Sequence, residues 1–582
     1  MAACGKFPPE SNLPVSQIMI AENEFSEEAP GDPPLGIGLF NRLMTPKALD
    51  RAIQLMRCGF LLVFAAAAGN ANGAKPVISS EVQEDIRARV DYGYNPGIIV
   101  GVVNENGRAY FSYGQTSLET GSVPDEHTVY EIGSVTKTFT GTLLAEMAAR
   151  GEVSFGEPVK SLLPDGNEVP ERNGIQISLQ QLATHASGLP ANPTFNEQVD
   201  PVNPFANFAE EDLYEFLKSY RLPRRPGAEF EYSNLGVGLL GHALALRLGF
   251  SYEEALRNRI LNPLGLEDTT ITPSAEQELR RATGYTGVVL RPPLAMKVLV
   301  GAGGLVSTAS DMLRFLEYQL GIRETELSPV LLETQRSRFS AGSSGLSLGL
   351  CWFVISSGSI QIVFHDGATT GHTAFVGFNR RTGTGVVVLT NSRVNNQSNV
   401  QDIGLNVLEP SFPLNRVLRP VELSLETKRA YVGTYENDDG ASFEIGLLHN
   451  HLTLAHSEDR GMVFTLYPQS SRRFLLHEAG LEAAGVFNSD ASGEVVSLVW
   501  TQSGQSAKFL KKSIPLHLTA QFDSGVLQLI LKGNTRIDYV IEASGDLREW
   551  SPISTNTIWD SPIVDASGFS TSRRFYRAHV LE

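Results

Sequence analysis

Short β-rich runs occur at two widely separated places in this chain, and the stretch between them is patterned for helix. "GIIVGVVNENGRAYFSYG" holds two such runs, Ile98 to Val103 and Arg108 to Tyr113, around the hairpin signal "NENG". "SIQIVF", "TAFVGF" and "TGVVVLTN" follow one another between Ser359 and Asn391, separated by Gly-rich or "NRRTG" turns, as in an antiparallel meander. In the intervening region, "NLGVGLLGHALALRLG" and "TASDMLRFLEYQLG" are helical patterns set among Pro/Gly loops. Strands at both ends of a helical middle predict an α/β unit: one antiparallel sheet built from both ends, flanked by helices, with a helical subdomain inserted. Beyond "LEPSFPLNRVLRP", whose prolines Pro410, Pro413 and Pro420 mark a linker, the pattern is almost wholly β. The division expected is this α/β unit over 75–412, an all-β domain over 421–512 and a small β module over 515–582.

The stretch "EIGSVTKTFTGTLLAEMAARGE" places Ser134 and Lys137 one helical turn apart at the start of a helix. Phe139, Leu143 and Met147 recur every four positions and Gly151 closes the segment, which predicts an amphipathic helix packed on a core. A serine hydroxyl is a weak nucleophile until a base takes its proton, and a lysine serves if burial or a nearby cation lowers its pKa. The pair alone says little, since about two Ser-x-x-Lys matches arise by chance in a chain this long. A second element is "FEYSNLGVG", where a Tyr232 phenol could relay a proton and an Asn234 amide could hold both the lysine and a substrate carbonyl. The third is "FHDGATTGH". A strand edge carrying His365, Asp366 and Gly367 could pair with an extended substrate, and the Ala368 N–H, with that of Ser134, could face the carbonyl oxygen under attack.

Taken in order, "SVTK", "YSN" and "HDG" resemble the three motifs of the serine β-lactamase and penicillin-binding-protein superfamily, in the branch of class C β-lactamases, d,d-peptidases and related esterases. "ISLQQLATHASGLP", "RILNPLGLEDTTI" and "GAGGLVSTASDMLRFL" match its sequence habits, so the resemblance spans about 82–405. It implies a β-lactamase-like fold and an acyl-enzyme on Ser134, with Lys137 and Tyr232 sharing the proton transfers and either of them open as the base. It implies Asn234, His365, Asp366, Gly367 and Ala368 as substrate-binding residues. The substrate would be a peptidoglycan stem peptide, a β-lactam or an ester, with no cofactor. Asp366 departs from the family's Lys-Thr-Gly, and a carboxylate there repels a substrate carboxylate unless protonated or turned away. His365, in place of a permanent cation, is expected to bind such a carboxylate only while protonated. Residues 421–512 resemble the lipocalin-like β-barrel often appended to these hydrolases. A sensor of cell-wall peptides without turnover is the rival of another class, and it needs no activated nucleophile.

"GLSLG" around Ser347 imitates a nucleophile elbow, with Asp366 and His372 downstream, but the following "LCWFVIS" reads as strand where an elbow needs a helix. "RTG", Arg381 to Gly383, reads as a hairpin turn. The Tyr435 and Asn437 copy of the second motif reads as structural, as do His185 and His372. No His, Cys and carboxylate spacing suits a metal.

Lys and Arg number 47 against 64 Asp and Glu, a net charge of −17, which disfavours nucleic acid and anionic lipid as partners. The apolar run Gly59 to Ala68 is too short to span a bilayer and is followed by small residues, the pattern of an export signal. A signal over 44–74, preceded by a non-native extension over 1–43, leads to the expectation of a secreted or periplasmic protein in which Cys351 is the one cysteine left after cleavage.

Overall fold

The computed structural model describes residues 74–580 apart from 195–202, 343–344, 394–398, 416, 457–462, 479–480, 513–516, 524–525, 533–537, 545, 558–562 and 565–574. The expected extension and signal lie outside the described residues. The chain divides into two units, one ending at Leu418 and one from Arg419 to Glu582.

In the first unit, α1 (Ser80–Asp91) leads into the hairpin β1 (Gly97–Asn104) and β2 (Gly107–Gly114). The helices α2 (Thr136–Ala149), α3 (Asn234–Leu248) and α4 (Ala309–Gln319) follow. Then come β3 (Phe339–Ser340), β4 (Leu346–Leu348), β5 (Phe353–Ser357), β6 (Ile360–Ala368), β7 (Thr373–Asn379), β8 (Thr384–Thr390) and α5 (Gln401–Leu408). They form one eight-stranded sheet in the order β2-β1-β8-β7-β6-β5-β4-β3. The sheet is closed from both ends of the unit, because Ile98 of β1 pairs with Thr390 of β8. Arg381 to Gly383 form the turn between β7 and β8, with Gly383 at φ 65°.

Alternation along β1 sends Ile98, Val100 and Val102 to one face and Ile99 and Val103 to the other, and both faces are buried. The first face packs under Val82 and Ile86 of α1 and Ile403 and Leu408 of α5. A buried ion pair at 2.6 Å, Arg89 to Asp402, joins those two helices. The opposite face meets α2 and α4, where Phe139 and Phe315 stack at 4.5 Å. Here one expectation is corrected: α2 is not amphipathic, for every residue from Thr136 to Met147 is buried. The sheet covers one side, and α3, α4 and the loops of the helical region cover the rest. The period-four apolar stripe is real, but Thr138, Thr140 and Thr142 between its members are buried too, and each returns its hydroxyl to a backbone carbonyl.

In the second unit, eight antiparallel strands from Gly433–Glu436 to Gln505–Lys512 form a closed barrel, the first strand pairing with the last through Thr434 and Lys512. Its interior is filled by side chains that include Phe443, Phe474, Phe487, Trp500 and Phe509. The Tyr435 hydroxyl donates to the Tyr431 carbonyl at 2.6 Å, and the Asn437 side chain accepts from Asp439 and Ala441 N–H in a turn. The described part of the tail holds two three-stranded sheets.

Candidate active site

Ser134 stands in a tight 3-10 turn, Gly133–Val135, that runs directly into α2. Two glycines let strand β6 come against this turn. A Cβ on Gly367 would lie 2.0 Å from the Ile132 carbonyl oxygen and 3.0 Å from the Ser134 nitrogen. Gly133, at φ 48°, would direct a Cβ to within 2.7 Å of the Ala368 nitrogen. The two backbone nitrogens expected to face an oxyanion therefore sit at one backbone crossing, which no larger residue at either position would permit.

Lys137 points back along α2 into the site and is fully buried. Its Nζ lies 2.9 Å from Ser134 Oγ, 2.7 Å from Asn234 Oδ1 and 2.6 Å from the Ala302 carbonyl. Burial brings its pKa down to about 7, against the weaker opposing effect of Cys351 and Asp366. Tyr232 enters from the loop before α3, and its hydroxyl donates to Ser134 Oγ at 2.8 Å. Burial pushes the phenol well above its ordinary value, so it is held neutral.

The "YSN" spacing has a local reason. Ser233 caps α3 by accepting from Gly236 N–H at 2.8 Å, leaving Tyr232 just outside the helix and Asn234 as its first residue. Asn234 is itself oriented by donating to Asn192 at 2.9 Å.

His185, read as structural packing, is buried, accepts from Ser233 N–H at 3.1 Å and lies against the Tyr232 ring at 4.4 Å between centroids. His372 is buried between Tyr130 and Glu131, 3.6 Å from the carboxylate of the latter. The sequence reading missed the Ala302 carbonyl, which accepts a hydrogen bond from the lysine. Its one signal was the Gly-rich "GAGG", a loop able to turn a carbonyl inward. It also missed Cys351, a buried free thiol near Lys137 that burial pushes up to about 12.

His365 requires a correction. Its side chain is fully buried against Phe353 and Tyr232, and its Nδ1 is paired with the Asp366 carbonyl. Burial, with the charge of Lys137, drives its pKa down to about 3, so near neutrality it is an uncharged wall of the site and cannot anchor a carboxylate. The hydrogen bond to the Asp366 carbonyl opposes this fall but is outweighed, because desolvation dominates. Asp366 is pushed up to about 6 by burial, and its Oδ1 is buried without a hydrogen-bond partner.

Ser347 lies in β4, with Oγ 3.5 Å from the Val354 carbonyl, and strand rather than helix follows it. It is not at an elbow. Among the described residues, no group of three or more His, Cys, Asp or Glu is placed to hold a metal ion.

A family model described as Beta-lactamase matches residues 82–409. Over 375 residues the chain is 29% identical to the D-alanyl-D-alanine-carboxypeptidase/endopeptidase AmpH of Escherichia coli strain K12, spanning 61% of this chain and 96% of that protein. A Beta-lactamase of Providencia stuartii is 30% identical over 278 residues, 47% of this chain and 68% of that protein. Among solved structures, a Beta-lactamase/D-alanine Carboxypeptidase from Yersinia pestis complexed with citrate aligns with a TM-score of 0.51 at 25% identity, covering 57% of this chain and 97% of that one.

Proposed function

The chain belongs to the beta-lactamase family and is a serine hydrolase, and from that premise we propose that it acts outside the cytoplasm on peptidoglycan stem peptides or β-lactams, through an acyl intermediate on Ser134. The observation that carries this reading is the convergence of Lys137 Nζ and the Tyr232 hydroxyl on one oxygen, Ser134 Oγ, at 2.9 and 2.8 Å. A lysine whose pKa lies at about 7 is largely neutral just above neutrality, with a lone pair free to take the serine proton. Lys137 is therefore the base in this reading. The neutral Tyr232 hydroxyl hands a proton to the departing group, and the N–H groups of Ser134 and Ala368 stabilise the oxyanion. The lysinium returns its proton to Tyr232, which resets both groups; water then attacks the acyl carbon and gives a proton to Lys137, and the departing Ser134 oxygen recovers it, releasing the acid and restoring the hydroxyl. Asn234 holds the lysine's remaining proton and orients the substrate. Export is supported by the apolar run Gly59 to Ala68.

A second reading, a carboxylesterase on the same site, is favoured by the neutral His365, which leaves the position without the cation a substrate carboxylate would seek. The test is intact-protein mass spectrometry after incubation with a β-lactam, a fluorophosphonate and a short-chain ester. The wild type should gain the acyl mass of the β-lactam or ester and the phosphonyl mass of the fluorophosphonate, which digestion should place on the peptide bearing Ser134, and Ser134→Ala should gain none. Labelling that survives Ser134→Ala would sink the acyl-serine reading. Turnover of nitrocefin, p-nitrophenyl esters and d-alanyl-d-alanine peptides then separates the acyl donors.

A further inference from the structure

We infer that Asp366 is a specificity-determining residue that receives an ammonium group of the substrate, so that the site prefers cationic acyl donors over carboxylate-bearing ones. The inference rests on the acyl-serine reading above and narrows its substrates: esters and stem peptides that carry an ammonium beside the scissile bond come ahead of β-lactams and terminal d-alanyl peptides, whose carboxylate Asp366 disfavours.

Five observations converge on it. Asp366 Oδ1 is buried with no hydrogen-bond partner. A buried carboxylate oxygen without a donor is a costly arrangement that a cationic ligand would relieve. The nearest positive group that acts on it is Lys137, which is engaged with Ser134, Asn234 and the Ala302 carbonyl.

The carboxylate also stands on the strand where a substrate would lie. Strand β6 pairs with β7 as far as Ala368, whereas its pairing with β5 ends at Phe364. The side of β6 that faced β5 is thus left without a strand partner over His365 to Ala368, next to the turn that carries Ser134. An extended substrate laid on that edge, with its scissile carbonyl at the Ala368 N–H, has Asp366 two residues away, roughly 7 Å along the strand. An ammonium one residue from the scissile bond comes alongside Asp366, whose carboxylate turns toward the open edge to meet it and so gains the donor that Oδ1 lacks.

A substrate carboxylate finds no cation in His365, which is buried and uncharged near neutrality. The net charge of −17 adds a long-range field that draws cations toward the protein and turns anions away.

The test uses the full chain and three ligands that share an N-acetyl-d-alanyl group and differ in the charge of the amide substituent: a 2-aminoethyl amide, a propylamide of the same length, and a 2-carboxyethyl amide. Affinities are measured by calorimetry in Ser134→Ala, so the preference is read from binding whether or not the serine turns over. The ammonium ligand should bind at least about tenfold more tightly than the carboxylate ligand, in line with a charged hydrogen bond to a buried group. Asp366→Asn and, separately, Asp366→Thr on the same background should abolish most of that ratio. Equal affinities, tighter binding of the carboxylate, or a preference that persists in both variants would overturn the inference. Absence of turnover in the wild type, by contrast, would count against the acyl-serine reading alone.

Discussion

Ser134 Oγ sits between a buried amine and a buried phenol that differ sharply in acidity, and this sets the pH dependence of acylation. Lys137 accepts a proton only when neutral, and its pKa is about 7. The acylation rate with a neutral ester should therefore rise as pH increases through about 7 and then level off, which stopped-flow measurement of the first turnover will show. Lys137→Ala should lower that rate by about 100- to 10,000-fold, with near-ultraviolet circular dichroism unchanged. Asp366 gains its charge as pH rises through about 6. KM for a carboxylate-bearing peptide should climb across that range, while KM for a neutral ester stays level. A step belonging to His365 near its ordinary value should be absent, since its burial keeps it neutral down to about 3. The identities of Ser134, Lys137, Tyr232 and Asn234 were legible because each is a chemically distinctive side chain at fixed spacing from a helix start. The state of His365 was not legible. Its charge depends on Phe353 and Tyr232 packing around it from other elements, and no local pattern encodes that desolvation.

Elements bring these residues together through two backbone approaches. The contact of β6 with the Ser134 turn tolerates no Cβ at Gly367, where the obstacle is the Ile132 carbonyl rather than a movable side chain. Gly367→Ala must push β6 away and separate the Ala368 and Ser134 nitrogens. It should reduce acylation by about 100-fold, the usual consequence of losing an oxyanion donor, and should also lower Tm. A milder effect belongs to the cap of α3, where Ser233→Ala removes the bond to Gly236 and should cost about 1 kcal/mol of stability in chemical denaturation. The hairpin, the meander and the positions of α3 and α4 were readable from periodicity and turn residues, which are local properties. The full burial of α2 was not, because its threonines look polar in sequence and become core only where their hydroxyls bond to nearby carbonyls.

At the scale of the molecule, every residue of the proposed site belongs to the unit that ends at Leu418. That unit closes late in its sequence, with the Tyr94 hydroxyl donating to the Leu418 carbonyl at 2.9 Å. A chain ending at Pro420 should acylate as the full protein does, measured by fluorophosphonate labelling. One ending at Glu409 gives up the Tyr94 bond and the buried Phe412, and should melt at lower temperature. The pairing of Ile98 with Thr390 also bears on how the polypeptide is made. The junction of β1 with β8 joins segments from opposite ends of the unit, so a nascent chain released anywhere before Thr390 lacks the strand on which β1 lies. Loop closure over so long a separation is slow, and the ribosome must finish nearly the whole unit before the sheet can consolidate. Pulse proteolysis of stalled chains should find protection arriving abruptly once β8 has emerged. Under the export proposed above, a chain that stays unfolded through most of its synthesis is in the state a secretion channel requires, and it would fold on the far side.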